Sequence, residues 1–167
     1  MTGINARIHF LAGLLSQQQL WLATAESCTG GLIGHLLTNE PGSSKWYLGG
    51  VVAYSNALKA GLLKVDQYML SESGAVSSEC VLSMARGVSV LTGADVSLAV
   101  SGIAGPAGGS PEKPVGTVFL SWHVSGQYWW EKQLFQGDRE EIKMRSAERA
   151  LVVLSDYLDQ GQLQINF

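Results

Sequence analysis

The chain lacks most of the features that mark specialised protein classes. Only two cysteines, Cys28 and Cys80, occur in 167 residues. No disulfide framework can be built from them, and reduced thiols in a cytoplasmic setting are expected. No apolar run is long enough to cross a bilayer and no signal peptide is read ahead of the first helical segment, so no membrane partner is expected. Charge is sparse: 15% of residues are charged, the net charge is −3, and the lysines and arginines are scattered. Without a basic stripe, nucleic acid is not expected as a partner. The three histidines, His9, His35 and His123, stand at no metal-ligand spacing. No metal site is therefore expected, and each histidine reads as structural. What the chain does have is apolar residues, 46% of the total. That is enough for the core of one domain spanning 1–167.

The sequence is organised around Ala25-Glu26-Ser27-Cys28-Thr29-Gly30-Gly31. An apolar run, Leu20 to Ala23, precedes it, and a helically spaced set, Leu32, Ile33, Leu36 and Leu37, follows. The pattern predicts strand, tight turn, helix. Such a turn carries short polar side chains at the carboxyl end of a strand and aims the first helical N–H groups at the space in front of it. The two glycines let a ligand approach the backbone. Ser27 can be a nucleophile there. Equally, Ser27 or Thr29 can simply cap the helix. Cys28 can be reactive, although a small buried cysteine is the commoner case.

In chain order, Ile4, Ile8, Leu11 and Leu15 predict an amphipathic helix over 4–16. Strand 1 is expected at 20–25 and helix 2 runs to Thr38. Pro41 to Ser44 form a loop. Strand 2 is expected from Trp46 to Tyr54, with Gly49-Gly50 marking a bulge or the close approach of another backbone. Lys59 follows on a short helix. Gly74 to Ser77 turn into a helix whose buried face is Val81, Met84, Ala85, Val88 and Leu91 and whose C′ residue is Gly93. Strand 3 spans Asp95 to Val100 and ends in Ser101-Gly102. A long glycine-rich loop then reaches Gly116, of a length that is usually functional when strands pin both ends. Strands 4 (Thr117 to Val124) and 5 (Tyr128 to Phe135) flank Ser125-Gly126-Gln127 as a hairpin. Asp138 and Glu141, at capping-box spacing, open the last helix.

Strands 1 to 3 alternate with helices, so a parallel arrangement is expected, with a ligand beyond their carboxyl ends. All three ends carry small polar or glycine-rich sequence: Glu26 to Thr29, Tyr54-Ser55-Asn56, and Ser101-Gly102. This convergence predicts a site holding a serine, a tyrosine and a lysine. No histidine lies near these turns, which argues against a Ser-His-Asp arrangement. A lysine of depressed pKa can serve as the base, with a tyrosine hydroxyl as its relay. Ser27, Lys59 and Tyr54 thus suggest acyl transfer or amide hydrolysis. Taken singly, Lys59 reads as a solvated lysine, Tyr54 as a half-buried strand-end tyrosine and Arg145 as a surface arginine.

These residues resemble a known family, the C-terminal domain of the competence/damage-inducible protein CinA and its stand-alone form, nicotinamide mononucleotide deamidase. The matching stretches are TAESCTGG (24–31), PGSS (41–44), GGVVAYSN with Lys59 (49–59), GAVS (74–77), SGIAGPAGG (101–109), EKPVGTV (112–118), and GDR (137–139) with Arg145. Ala57-Leu58 and Ala107 depart from the family's usual residues, and the N-terminal domain of its two-domain members is not seen here. The resemblance implies a three-layer α/β/α sandwich on a five-stranded mixed sheet with one strand antiparallel. It implies hydrolysis of the nicotinamide amide of nicotinamide mononucleotide to nicotinic acid mononucleotide and ammonia, without metal or organic cofactor, in a homo-oligomer. By position, Ser27 is the expected nucleophile, Lys59 the base and Tyr54 its partner. Substrate contacts are expected from Thr29, Gly30, Gly31, Asn56, Ser101, Gly102, Gly105 and Arg145. Two other classes stay open on sequence: a non-catalytic nucleotide-binding or regulatory module, and an interaction domain whose glycine loops dock a partner.

Overall fold

The structure is a computed structural model that describes residues 3–160. Its elements in order are α1 (Ile4–Gln17), β1 (Leu22–Glu26), α2 (Leu32–Thr38), a 3₁₀ turn (Ser43–Lys45), β2 (Tyr47–Val52), α3 (Asn56–Leu63), α4 (Gln67–Glu72), α5 (Ser78–Thr92), β3 (Val96–Gly102), β4 (Thr117–Val124), β5 (Gln127–Leu134) and α6 (Arg139–Gln160). The strands form one sheet in the order β2-β1-β3-β4-β5. β1 pairs parallel with both β2 and β3. The β3–β4 and β4–β5 pairs are antiparallel. β4 alone therefore runs against the other four, as the resemblance implies. The carboxyl ends of β1, β2 and β3 lie at one edge, where the site is expected.

The two faces of the sheet differ in side-chain size, and that difference sets the layers. Leu22, Val96, Leu98, Val100, Val118, Leu120 and Trp122 project into one core with α1, α2 and α6. The opposite face carries Ala23, Ala25 and Ala99 against α5 and α3. Alternation of side chains along a strand produces this division. The small face lets the α5 backbone come close enough for strand serines to reach it. Ser97 Oγ donates to the Ala85 carbonyl at 2.7 Å and Ser121 Oγ to the Val81 carbonyl at 2.6 Å. Both serines are buried, and these bonds remove the cost of a buried, unpaired hydroxyl.

The predicted bulge in β2 is present. The register against β1 slips beside Leu22 and Ala23, where Gly49 has φ +134°. A Cβ on Gly50 would overlap Thr24 Oγ1, so the close approach also holds. The hairpin turns on Ser125 and Gly126, both at positive φ, so Gln127 is the first residue of β5 rather than part of the turn. Trp46 and Tyr54 fall just outside β2. The short helix α4 was not legible: six residues are too few to show a helical period. The capping box of α6 forms as read. Asp138 N–H donates to Glu141 Oε2 and Glu141 N–H to Asp138 Oδ1, each at 2.9 Å.

Candidate active site

The β1–α2 turn is held by a residue that the sequence did not single out. Glu26 ends β1 with its carboxylate buried. Its Oε2 accepts from Thr29 Oγ1 at 2.7 Å, Gly31 N at 3.0 Å and Ile33 N at 3.1 Å, and Oε1 accepts from Gly34 N at 2.8 Å. The carboxylate thus caps α2 from the preceding strand, and its negative charge sits at the positive end of the helix. Gly31, the residue before the helix, has φ +96° and offers no side-chain cap. The capping role considered for Ser27 or Thr29 is filled by Glu26, with Thr29 as one of its donors, and Ser27 is left free for other chemistry. Glu26→Ala would leave four donors without their acceptor. We expect it to lower stability by about 3 kcal/mol or more, read as a fall in Tm of roughly 6–12 °C. A Tm within about 2 °C of wild type would show that water replaces the carboxylate.

Ser27 and Lys59 meet across the sheet edge. α3 starts directly after β2, capped by Ser55 Oγ, which accepts from Leu58 N. This places Lys59 on the inner face of the helix, only 1% exposed. Lys59 Nζ stands 2.9 Å from Ser27 Oγ and donates to the Ala53 carbonyl at 2.8 Å. Among the described residues no carboxylate pairs with it. Burial without a counter-ion pushes the Lys59 amine below its ordinary value. The Cys80 and Cys28 sulfurs would oppose this as thiolates. Burial, however, drives Cys28 up to about 12 and Cys80 up to about 11. Both are neutral thiols near pH 7, so burial dominates. Cys28 is accordingly a packed, unreactive thiol rather than a second nucleophile.

Tyr54 is placed differently from the expectation that it partners Lys59. It is 58% exposed on the rim, and its hydroxyl accepts from Arg139 Nη2 at 2.7 Å. Arg139 Nη1 also donates to the Gly105 carbonyl at 2.6 Å. Arg139 opens α6 and lines the same cavity as Ser27, Lys59 and Tyr54, a cleft of about 190 Å³. Sequence reading gave the arginine role to Arg145. That residue is exposed further along α6 and is not part of the cavity wall. Six residues after Arg139 it lies about 240° around the helix, facing elsewhere. The signal for Arg139 was present in the GDR motif, since a residue opening a helix beside a capping box stays near the loop it follows.

The remaining expected residues divide. Asn56, Ser101 and Gly102 line the cavity. Ser101 Oγ is engaged by the Ala75 carbonyl at 2.7 Å, tying β3 to the turn before α5. A side chain on Gly102 would collide with Val118 and the Thr117 carbonyl. Gly105 contributes its carbonyl to Arg139. The N–H groups of Gly30 and Gly31 are engaged by Ser27 O and Glu26. Those of Cys28 and Thr29 find no backbone acceptor in the described residues. They immediately follow Ser27, where an oxyanion would need donors. A wider groove of about 640 Å³ lies between α1 and α2, walled by His9 and Glu40, but it holds neither a serine nor a lysine. Among the described residues no cluster of three His, Cys, Asp or Glu side chains could hold a metal ion, and no helix is long and apolar enough to cross a membrane.

The chain is similar to known proteins in sequence and in fold. The CinA C-terminal domain family matches residues 5–158. A putative competence-damage inducible protein of Moorella thermoacetica is 50% identical over 141 residues, covering 84% of this chain and 34% of that protein. A CinA-like protein of Thermotoga maritima is 50% identical over 149 residues, 87% of this chain and 35% of its own length. The chain thus spans about a third of these curated relatives. Among solved structures, the competence damage-inducible protein A (ComA) of Klebsiella pneumoniae superposes with a TM-score of 0.93 at 36% identity, covering 96% of this chain and 100% of that one. The competence/damage inducible protein CihA of Agrobacterium tumefaciens gives 0.91 at 37% identity, covering 96% and 98%.

Proposed function

The chain belongs to the CinA C-terminal domain family, and from that premise we propose that it is a serine amidohydrolase that converts nicotinamide mononucleotide to nicotinic acid mononucleotide and ammonia. The observation that carries this reading is the buried Lys59 amine, 2.9 Å from Ser27 Oγ and without a counter-ion among the described residues. Burial lowers the pKa of this amine, and its deprotonated form has a lone pair for the serine proton. Ser27 Oγ attacks the carboxamide carbon as its proton passes to Lys59 Nζ. The resulting oxyanion sits against the N–H groups of Cys28 and Thr29. Collapse expels ammonia, the leaving nitrogen taking the proton from Lys59. Water, deprotonated by Lys59, then cleaves the acyl-serine ester to the carboxylate. Tyr54 acts in this scheme at the rim with Arg139, where the glycosidic and phosphate end of the substrate leaves the cavity. The 190 Å³ cleft is below the roughly 300–1,000 Å³ of whole-ligand pockets. It suits the carboxamide and ring, not the whole nucleotide. The same reading includes a homo-oligomer working in the cytoplasm without a metal or organic cofactor.

The test is ammonia release from nicotinamide mononucleotide, nicotinamide riboside and the dinucleotide, with chromatography of the pyridine product. One ammonia and one carboxylate per turnover are expected from the mononucleotide, and a much lower kcat/KM from the riboside. Release from none of the three would overturn the reading in favour of a binding module.

A further inference from the structure

Lys143 has no role in the chemistry above, yet it stands beside the nucleophile turn. A Cβ built on Gly30 would lie 3.9 Å from Lys143 Nζ. Gly30 is three residues from Ser27 and has φ +63°, so the backbone there carries no side chain between the ammonium and the turn. Lys143 also follows Arg139 by four residues. At 3.6 residues per turn the two side chains leave α6 only about 40° apart. Arg139 reaches Tyr54 and Gly105 on one side of the site, and Lys143 reaches Gly30 on the other. Neither forms an ion pair among the described residues. Glu141 is turned back onto the Asp138 N–H, and Glu140, three residues before Lys143, makes no ion pair with either cation among the described residues. Two cations thus stand on one stripe of α6, Arg139 in the wall of a cleft too small for a nucleotide and Lys143 beside the Gly30 turn. Meanwhile the N–H groups of Gly31, Ile33 and Gly34 at the start of α2 are engaged by Glu26.

We infer that Lys143, together with Arg139, binds the phosphate of the substrate, and that Lys143 sets the preference for a phosphorylated nucleoside over the free nucleoside. This rests on the amidohydrolase reading for the identity of the substrate, but not for the existence of the anion site. The amide end enters the cleft toward Ser27, the sugar passes over Tyr54, and the phosphate stops between the two α6 cations above Gly30. Lys143 makes no contact with the reacting atoms in this arrangement, so it acts on affinity and not on the chemical step.

The experiment uses calorimetry on the full chain carrying Ser27→Ala, which binds without turnover, with and without Lys143→Gln or Lys143→Arg. Loss of one charge-assisted phosphate contact is expected to weaken nicotinamide mononucleotide binding about tenfold. Nicotinamide riboside should change by less than about twofold. Lys143→Arg should restore most of the affinity. Inorganic phosphate should compete with the mononucleotide in the parent and far less in Lys143→Gln. Unchanged mononucleotide affinity in Lys143→Gln, or an equal loss for both ligands, would overturn the assignment. Failure of the amidohydrolase reading looks different: Lys143-dependent binding of the mononucleotide would persist while the wild-type chain released no ammonia.

Discussion

Ser27→Ala is expected to yield a folded protein whose kcat/KM for nicotinamide mononucleotide is down by at least about a thousandfold, roughly 4 kcal/mol of transition-state stabilisation. The fold should survive because Ser27 has no structural duty that another group does not perform. α2 is capped by Glu26, and the Ser27 hydroxyl touches Lys59 rather than a backbone donor. Loss of that one hydrogen bond should cost about 1 kcal/mol. For a domain of this size that lowers Tm by about 2–4 °C. Parallel ammonia-release and thermal-unfolding measurements separate chemistry from stability. Near-wild-type turnover in a folded Ser27→Ala protein would remove Ser27 as nucleophile. A protein that instead unfolds would show that the turn depends on the hydroxyl for its structure.

That turn also shows which layers of the protein the sequence exposes. The strand–turn–helix pattern, the three strand ends and the hairpin are local or periodic signals. All were legible because a strand alternates, a helix repeats at 3.6 and a tight turn needs glycine. The meeting of Ser27 and Lys59 followed from topology, since parallel strands bring their carboxyl ends to one edge. What stayed hidden depended on side-chain direction. In the sequence Glu26 reads only as part of a polar strand end. Only the geometry turns its carboxylate inward over four donors. Arg139 and Arg145 are both plausible by composition, and only the helix phase assigns one to the cleft. Tyr54 reads as the partner of Lys59 from the strand end it occupies and from the family resemblance, whereas the structure bonds its hydroxyl to Arg139. α4 is too short to leave a periodic trace.

The sharpest consequence of the geometry concerns Lys59. A buried amine bonded, among the described residues, to Ser27 Oγ and the Ala53 carbonyl alone is poor at holding a charge, and burial lowers its pKa from 10.5. The sign of the pH effect follows. Between the lowered folded value and 10.5 the unfolded chain binds the extra proton and the native state does not, so stability rises with pH across that window. Below the folded value both states are protonated and the full desolvation cost is present. Activity has the same direction: kcat/KM should rise with pH through the lowered Lys59 value as the base form fills. Lys59→Arg keeps a cation in place but cannot release its proton at neutral pH. If Lys59 is the base, Lys59→Arg and Lys59→Met should be inactive to a similar degree, each down by about a thousandfold or more, and neither should retain the ascending limb. If the residue instead held substrate by its charge, arginine would preserve much of the rate. A folded Lys59→Arg protein with about a tenth of wild-type kcat/KM, a loss of only about 1.4 kcal/mol, would rule lysine out as the base. The Ser27 proton would then have to leave by way of water at the Tyr54–Arg139 rim.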